Sequence, residues 1–136
     1  RASIREILKL DCSHKAIIIG VGNLGRALMT NFNFGQSGFA LAAAFDVKKE
    51  LQGIQVAGVP VLSMESLQDY VEHKRPDIAI LTLPRQFASQ VAADLCKWGI
   101  RGIWNFTGVD LHLDGLEVPV ENVHFSESLM TLSYRI

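Results

Sequence analysis

The amino-acid sequence predicts an α/β fold with a doubly wound parallel sheet, because short apolar segments alternate with amphipathic ones along the chain. The apolar segments are rich in β-branched residues and end at Gly, Asp, Thr or Phe, which is typical of parallel strands buried on both faces. The chain has 136 residues, of which 49% are hydrophobic, enough for one domain with a substantial core.

The expected elements follow in the order strand, helix, strand, strand, helix, strand, helix, strand, strand and helix. They cover residues 15–20, 23–33, 39–46, 59–62, 63–74, 77–82, 84–98, 102–106, 118–120 and 125–134. Ser63 is a suitable N-cap for the second helix and Pro76 stops it. Pro84 suits the start of the third helix, and Gly99 suits its end. The order predicts a ligand at the carboxyl ends of the strands.

Composition excludes several classes of function. The net charge of −1 provides no electrostatic surface for nucleic acid, so any DNA contact must come from a segment outside this chain. Cys12 and Cys96 lie far apart and form no metal-ligand spacing, which favours two free thiols in a reducing compartment. The sequence shows no signal peptide and no apolar run near the roughly 20 residues that cross a bilayer. We therefore expect a cytoplasmic protein.

The first residues resemble the end of a helix, with Ile4, Ile7 and Leu8 on one face. Because the chain begins at Arg1 without a methionine, we interpret residues 1–12 as a linker helix left from a longer protein, with a processed natural N-terminus as the alternative. Residues 13–122 would then form the α/β domain and residues 123–136 a C-terminal helix.

A glycine-rich turn follows the first expected strand and opens the first helix. It consists of Gly20, Val21, Gly22, Asn23, Leu24 and Gly25. Gly20 allows the tight turn, Gly22 allows the backbone to approach a pyrophosphate, and Gly25 allows the helix to pack closely on the strand. The N–H groups at the helix N-terminus, with the helix dipole behind them, are suited to hold the phosphates.

An acidic residue, Asp46, ends the second strand 21 residues after Gly25. Its carboxylate can accept hydrogen bonds from both hydroxyls of an adenosine ribose and would repel a 2′-phosphate. The pattern therefore predicts NAD(H) rather than NADP(H), although Lys48 and Lys49 beside it are compatible with a phosphate. A glycine-rich turn that binds nothing is the alternative interpretation.

Two further strand ends are candidates for the same site. Thr82 and Pro84 follow the fourth strand, and Asn105 and Phe106 end the fifth. Asn105 can offer an amide and Phe106 a ring near a nicotinamide. For Thr82, a simple strand-to-helix turn explains the residue equally well.

Groups for acid–base catalysis are scarce. His14 precedes the first strand on the far side of the sheet, His73 lies in a solvated position late in a helix, and His112 lies in a surface loop. His124 is the histidine nearest to a plausible ligand. With few acid–base groups near the expected ligand and no substrate domain, the sequence favours a cofactor-binding sensor over an enzyme.

Taken together, these segments resemble the Rex family of redox-sensing transcriptional repressors. The resemblance is carried, in order, by Ile18–Leu28, Ala43–Asp46, Ile54–Val61, Ile80–Pro84, Gly102–Phe106, Val120–Val123 and Leu129–Tyr134. It implies a Rossmann-type domain that senses the NADH/NAD+ ratio within a homodimer, with a C-terminal helix swapped onto the partner subunit. It also implies an N-terminal winged helix, absent from this chain, that releases operator DNA when NADH binds.

By the resemblance, Gly20–Gly25 form the phosphate turn and Asp46 binds the ribose. Thr82, Pro84, Asn105 and Phe106 would form the walls beside the nicotinamide, and Phe125 would insert against it from the partner subunit. The residue pattern alone also allows Phe125 to be a core anchor, on one stripe with Leu129 and Leu132.

Four positions depart from the family pattern. Asn31 and His124 stand where many members have a tyrosine and an acid that pair across the dimer, and Thr107-Gly108 replaces the usual Ala-Pro. The relay from ligand to DNA-binding domain is therefore expected to differ here. A small NAD-dependent oxidoreductase and a coenzyme A-binding Rossmann domain are the two other candidate functions.

Overall fold

The computed structural model describes residues 14–31, 34, 38–109, 111 and 118–123. The strands are β1 (His14–Ile19), β2 (Phe39–Asp46), β3 (Gln55–Val56), β4 (Val59–Ser63), β5 (Ile78–Leu81), β6 (Gly102–Asn105) and β7 (Val120–Asn122). The helices are α1 (Asn23–Asn31), α2 (Leu67–Lys74) and α3 (Arg85–Lys97), with a 3-10 turn at Met64–Ser66. The expected helices at residues 1–12 and 125–134 lie outside the described residues.

The sheet has the order β3-β4-β2-β1-β5-β6-β7. Every neighbouring pair is parallel except β3 with β4, which forms an antiparallel hairpin. Without β3, the order is that of the Rossmann fold, in which the chain moves outward from β1 and then returns to the other side. The expected Rossmann-type sheet is confirmed, and its switch point lies between β1 and β5.

The two faces of the sheet carry separate apolar cores. Alternate residues of β1 point to opposite faces, so Ile17 and Ile19 belong to one core and Ala16 and Ile18 to the other. Helices α2 and α3 cover the first core and α1 covers the second. These four residues of β1 are at most 1% exposed, which explains why this part of the strand is a continuous apolar run.

The β3–β4 hairpin was missed by the sequence prediction. Its turn places Ala57 and Gly58 at φ values of +53° and +81°. Two positive φ values suit the two-residue turn of a hairpin, but the first position normally favours Asn, Asp or Gly. Alanine there provides no turn signal, and a two-residue strand provides no alternation.

Two boundaries also differ from the prediction. Ser63 does cap, accepting from the backbone N–H of Glu65, but it opens the 3-10 turn and α2 begins only at Leu67. The last described strand is Val120–Asn122 rather than residues 118–120. The remaining strands and helices lie within a few residues of their expected ranges.

Asp77 ties together the amino ends of three strands. One carboxylate oxygen accepts from the backbone N–H of Lys15 at 2.8 Å and lies 3.6 Å from His14 Nδ1. The other accepts from Arg101 at 3.0 Å. His14 is thereby placed at the edge of the sheet opposite the strand ends expected to bind ligand, as the sequence indicated.

We expect Leu95→Ala to destabilise the protein by about 2–5 kcal/mol, because it removes a fully buried side chain from the core beneath α3. Ser89→Ala, on the exposed side of the same helix, should change stability by less than about 0.5 kcal/mol. Urea unfolding of both variants measures the difference. Equal stabilities would contradict the assignment of this core.

Candidate dinucleotide-binding site

Two of the three glycines in the turn between β1 and α1 lie where no side chain would fit. Gly20 has φ +103°, and a Cβ there would lie 2.9 Å from the backbone nitrogen of Leu83. A Cβ on Gly25 would overlap the Gly20 carbonyl oxygen. A Cβ on Gly22 would meet nothing within 4 Å. Gly20 and Gly25 therefore serve the fold itself, whereas Gly22 leaves open space at the N-terminus of α1.

The first peptide of the turn, between Gly20 and Val21, is held at both of its polar atoms. Its carbonyl oxygen accepts from the Thr82 hydroxyl at 2.6 Å, and its N–H donates to Asp46 Oδ2 at 2.6 Å. Gly20 also donates its own N–H to the Phe45 carbonyl at 2.8 Å. The ends of β2 and β5 therefore fix the start of the turn from opposite sides.

Asp46 combines this structural bond with unused acceptor capacity. Its Oδ1 accepts from the backbone N–H of Lys48 at 2.9 Å, and Gln52 donates to its carbonyl oxygen at 3.1 Å. An ionised carboxylate has about four acceptor sites, of which these backbone bonds occupy two. The side chain is 9% exposed at the rim of a cavity, so the remaining sites can accept from a diol.

An apolar cavity of about 220 Å³ opens beside Gly20 and Asp46. Its other lining residues are Ile19, Phe45, Val47, Met64, Leu83, Pro84, Phe87 and Val91. Val47 is 74% exposed and Phe87 is 52% exposed, so two large apolar side chains face solvent at its mouth. Such a surface is suited to a flat aromatic base.

Sequence reasoning missed Val47, Met64 and Phe87 as site residues. The signal available for Val47 is its place directly after the ribose carboxylate, at the carboxyl end of β2. Met64 and Phe87 come close to it only through the order of the strands. No local pattern distinguishes them from ordinary surface or core residues.

Thr82 and Pro84 both lie at the end of β5, but in different surroundings. The Thr82 hydroxyl is used inside the glycine turn, while Pro84 precedes α3 and lines the cavity. The resemblance placed Pro84 beside a nicotinamide. In the structure it shares the cavity with Asp46, on the side where an adenosine is expected.

Asn105 is 1% exposed and its amide is fully engaged within the protein. Its Nδ2 donates to the Val109 carbonyl and to Asn122 Oδ1, and its Oδ1 accepts from both the backbone and the hydroxyl of Thr107. The amide expected to face a nicotinamide therefore also shapes the loop after β6. Its ability to bind ligand directly would require one of these bonds to break.

Phe106 is 9% exposed and packs edge-on against Trp104, with ring centroids 4.6 Å apart. Its backbone N–H donates to the Leu81 carbonyl at 2.9 Å. This bond extends the pairing of β5 with β6 beyond the last strand residue. Phe106 thus lies at the carboxyl edge of the sheet, as the sequence indicated.

Of the remaining candidate residues, some lie within the described part of the chain and some lie outside it. His73 is exposed and pairs with Asp69 one helical turn away, which confirms the solvated position expected for it. Asn31, one of the departures from the family pattern, is exposed at the end of α1. His112, His124 and Phe125 lie outside the described residues.

Burial changes two titratable groups. It raises the pKa of Cys96, which is half-buried against the core beneath α3, and the pKa of Tyr70, which packs edge-on against Phe45.

Within the described residues, no group of acidic, histidine or cysteine side chains is arranged to hold a metal ion. In the same part of the chain, no helix is long and apolar enough to cross a membrane.

Comparison of this chain with models of known protein families identifies the class of domain. The family model of the coenzyme A-binding domain matches residues 11–109. The chain therefore belongs to the CoA-binding domain family, whose Rossmann topology agrees with the sheet described above.

Comparison with individual proteins shows which members of the family this chain resembles. The chain is 41% identical over 134 residues to the redox-sensing transcriptional repressor Rex of Caldanaerobacter subterraneus, covering 98% of this chain and 59% of that protein. It is 40% identical over 132 residues to Rex of Clostridium perfringens, covering 97% of this chain and 62% of that protein. The chain thus spans about three fifths of the length of these relatives, and the resemblance to Rex repressors is confirmed.

Solved structures give the same result. The Rex-family repressor RSP bound to β-NADH superposes with a TM-score of 0.85 at 40% identity, covering 98% of this chain and 65% of that one. RSP bound to β-NAD+ and operator DNA superposes with a TM-score of 0.84 at 39% identity, covering 98% of this chain and 61% of that one. A UDP-D-quinovosamine 4-dehydrogenase, with a TM-score of 0.56 at 19% identity over 69% of this chain and 78% of that one, shares the fold alone.

We expect Gly25→Ala to destabilise the protein by several kcal/mol, because its methyl group has no space beside the Gly20 carbonyl and α1 would have to move. Thermal unfolding measures the loss. Gly38→Ala tests instead a glycine with open space around its Cα and a positive φ, and it should cost only about 1 kcal/mol. A Gly25 variant as stable as the parent protein would contradict the packing described.

Proposed function

We propose that this chain is the NADH/NAD+ ratio-sensing domain of a transcriptional repressor. The proposal depends on one observation. A glycine turn at a helix N-terminus lies beside the Asp46 carboxylate, which has unused acceptor sites at the mouth of an apolar cavity. The similarity to Rex repressors, and to RSP bound to either form of the nucleotide, supports it. These relatives are named as repressors rather than enzymes.

In the proposed complex, Gly20–Gly25 and the N-terminus of α1 hold the pyrophosphate, because free N–H groups and the helix dipole favour an anion there. Asp46 accepts from the ribose hydroxyls, and the adenine lies in the cavity between Val47 and Phe87. The nicotinamide lies beyond the carboxyl ends of β5 and β6, next to Asn105 and Phe106. Pro84 contributes to the adenosine side, and Phe125 contributes to the nicotinamide side from a second copy.

Within the whole protein, residues 1–12 form a linker from a DNA-binding domain, residues 13–122 bind NAD(H), and residues 123–136 form the dimerisation helix. NADH binding closes the homodimer and releases the operator. A repressor meets both its operator and the cellular nucleotide pool in the cytoplasm, so we assign the protein to that compartment. No catalytic step is required, since occupancy of the site is itself the signal.

The dimer is supported by a second apolar cavity, of about 360 Å³, at the amino ends of the strands. Its lining residues include Phe39, Ile78, Trp104 and Val120. Four of its lining residues, Phe34, Phe39, Ile78 and Trp104, belong to the core on the α1 face, and among the described residues the other two helices pack on the opposite face. A second copy covering β5–β7 would remove this apolar surface from water.

The nucleotide proposal is tested by titrating the purified protein with NADH, NAD+, NADPH and coenzyme A. We expect saturable binding of NADH without turnover of candidate alcohol substrates, and weaker binding of NADPH because Asp46 repels a 2′-phosphate. Preferential binding of coenzyme A would instead support the function after which the domain family is named. Turnover would support an oxidoreductase.

Gly22→Ala is the matched variant in this titration. We expect its stability to stay within about 1 kcal/mol of the parent, since its Cβ meets no protein atom, while NADH affinity falls by about tenfold or more because the methyl group occupies the approach to the pyrophosphate. Calorimetric titration and thermal unfolding report the two quantities. Unchanged affinity would contradict the assignment of the phosphate turn.

The proposed homodimer predicts that the chain sediments at twice its monomer mass at micromolar concentration. Analytical ultracentrifugation with and without NADH measures this mass. Ile78→Glu places a charge in the second cavity and should shift the equilibrium toward monomer, whereas Lys74→Glu, an exposed change at the end of α2, should not. A monomer under every condition would contradict the dimer without affecting the nucleotide site.

A further inference from the structure

We propose that Thr82 is a positioning residue that presets the phosphate turn, rather than a wall that touches the nicotinamide. This inference rests on the proposed nucleotide-binding function and refines the role of one of its residues. It would make the end of β5 part of the pyrophosphate site, through the peptide that joins Gly20 to Val21.

The Thr82 hydroxyl is enclosed by the turn. Its oxygen lies 2.6 Å from the Gly20 carbonyl oxygen and 3.2 Å from the Ile19 carbonyl oxygen. It also lies 3.0 Å from the position that a Cβ on Gly25 would occupy, so α1 closes over it. A hydroxyl has one proton to donate, and the shorter distance assigns that proton to Gly20. No donor remains for a ligand.

The bond matters because the other end of the same peptide is also held. Val21 donates its N–H to Asp46 Oδ2 at 2.6 Å. A peptide is planar, so holding its oxygen and its nitrogen fixes the orientation of the plane from which the turn continues to the following N–H groups. Those are the groups that face a pyrophosphate. Thr82 and Asp46 together therefore hold the turn in one orientation before any nucleotide binds.

Electrostatics gives the hydroxyl a second effect. The Gly20 carbonyl carries partial negative charge close to the place where two phosphates are expected. A hydrogen bond donated by Thr82 offsets part of that charge and keeps the oxygen turned into the protein. Without the donor, the carbonyl oxygen keeps its full partial negative charge close to the anion, which weakens the site.

Fragments of the dinucleotide separate positioning from direct contact. ADP contains both phosphates and the adenosine but no nicotinamide, and adenosine contains neither. A residue that positions the phosphate turn affects NADH and ADP equally and leaves adenosine unchanged. A residue that contacts the nicotinamide affects NADH alone.

The experiment compares Thr82→Val, which keeps the shape and removes the hydroxyl, with Thr82→Ser, which keeps the hydroxyl. We expect the valine variant to bind both NADH and ADP about fivefold more weakly, the factor that one neutral hydrogen bond represents. The serine variant should bind both nearly as the parent does. Thr30→Val, the same change on the exposed face of α1, is the control and should change neither affinity.

Several results would overturn the proposal. A loss confined to NADH would indicate direct nicotinamide contact, and a serine variant as weak as the valine variant would show that the hydroxyl is not responsible. If Thr82→Val does not fold, Thr82→Ala tests the same loss of hydroxyl in a smaller side chain. Failure of the parent protein to bind NADH or ADP would refute the proposed function.

Amide hydrogen exchange in the free protein tests the positioning role without nucleotide. We expect the Val21 amide to exchange faster in Thr82→Val than in the parent protein, because the peptide it belongs to is then held by Asp46 alone. The amide of Ile18, within β1, is the internal reference and should not change. Unchanged exchange at Val21 would overturn the proposal even if the affinities fall.

Discussion

The backbone of Gly20 lies directly against the backbone of Leu83, and the rest of the site depends on this close approach. A Cβ on Gly20 would come within 3.0 Å of three backbone atoms at the end of β5. Because Gly25 in turn lies against the Gly20 carbonyl, α1 begins almost on top of the strand ends. The dipole of α1 is consequently directed at the carboxyl edge of the sheet, where its positive end can act on a bound anion.

The parallel sheet brings the necessary side chains to this point. Asp46 is 25 residues from the peptide it holds, and Thr82 is 62 residues away. They meet because β2 and β5 flank β1 and all three strands run in the same direction. The switch point thus opens a crevice for a ligand and also places the ends of β2 and β5 on either side of the glycine turn. Side chains from both ends can therefore hydrogen-bond to the same peptide.

Much of this arrangement could be predicted from the sequence. The continuous apolar strands, the glycine spacing and the acidic residue after β2 are local patterns with a direct physical cause, and the structure contains the sheet and the turn they indicate. The hairpin at Ala57 and Gly58 could not be predicted, because alanine occupies a position whose φ usually requires another residue. The identity of a residue does not predict a turn when that residue adopts a backbone conformation that is unfavourable for it.

The side chains of the site were harder to predict than its backbone. A sequence shows that Asn105 ends a strand but not that Thr107, Val109 and Asn122 engage its amide. It shows that Val47 and Phe87 are apolar but not that they flank one cavity. These relations depend on contacts between distant segments, so they follow only from the assembled sheet. Phe125 and His124 remain predictions from sequence.

The half-buried thiol of Cys96 has a consequence for how a domain of the proposed kind would behave under oxidative stress. Peroxide attacks the thiolate, and partial burial lowers the thiolate fraction of this residue by raising its pKa. Direct oxidation at Cys96 is thereby disfavoured. A response carried by exchange of one nucleotide for another reverses by diffusion, without a reductase to repair the protein. A domain with the proposed sensing function would then follow the nucleotide pool and respond less to a passing burst of oxidant at this residue.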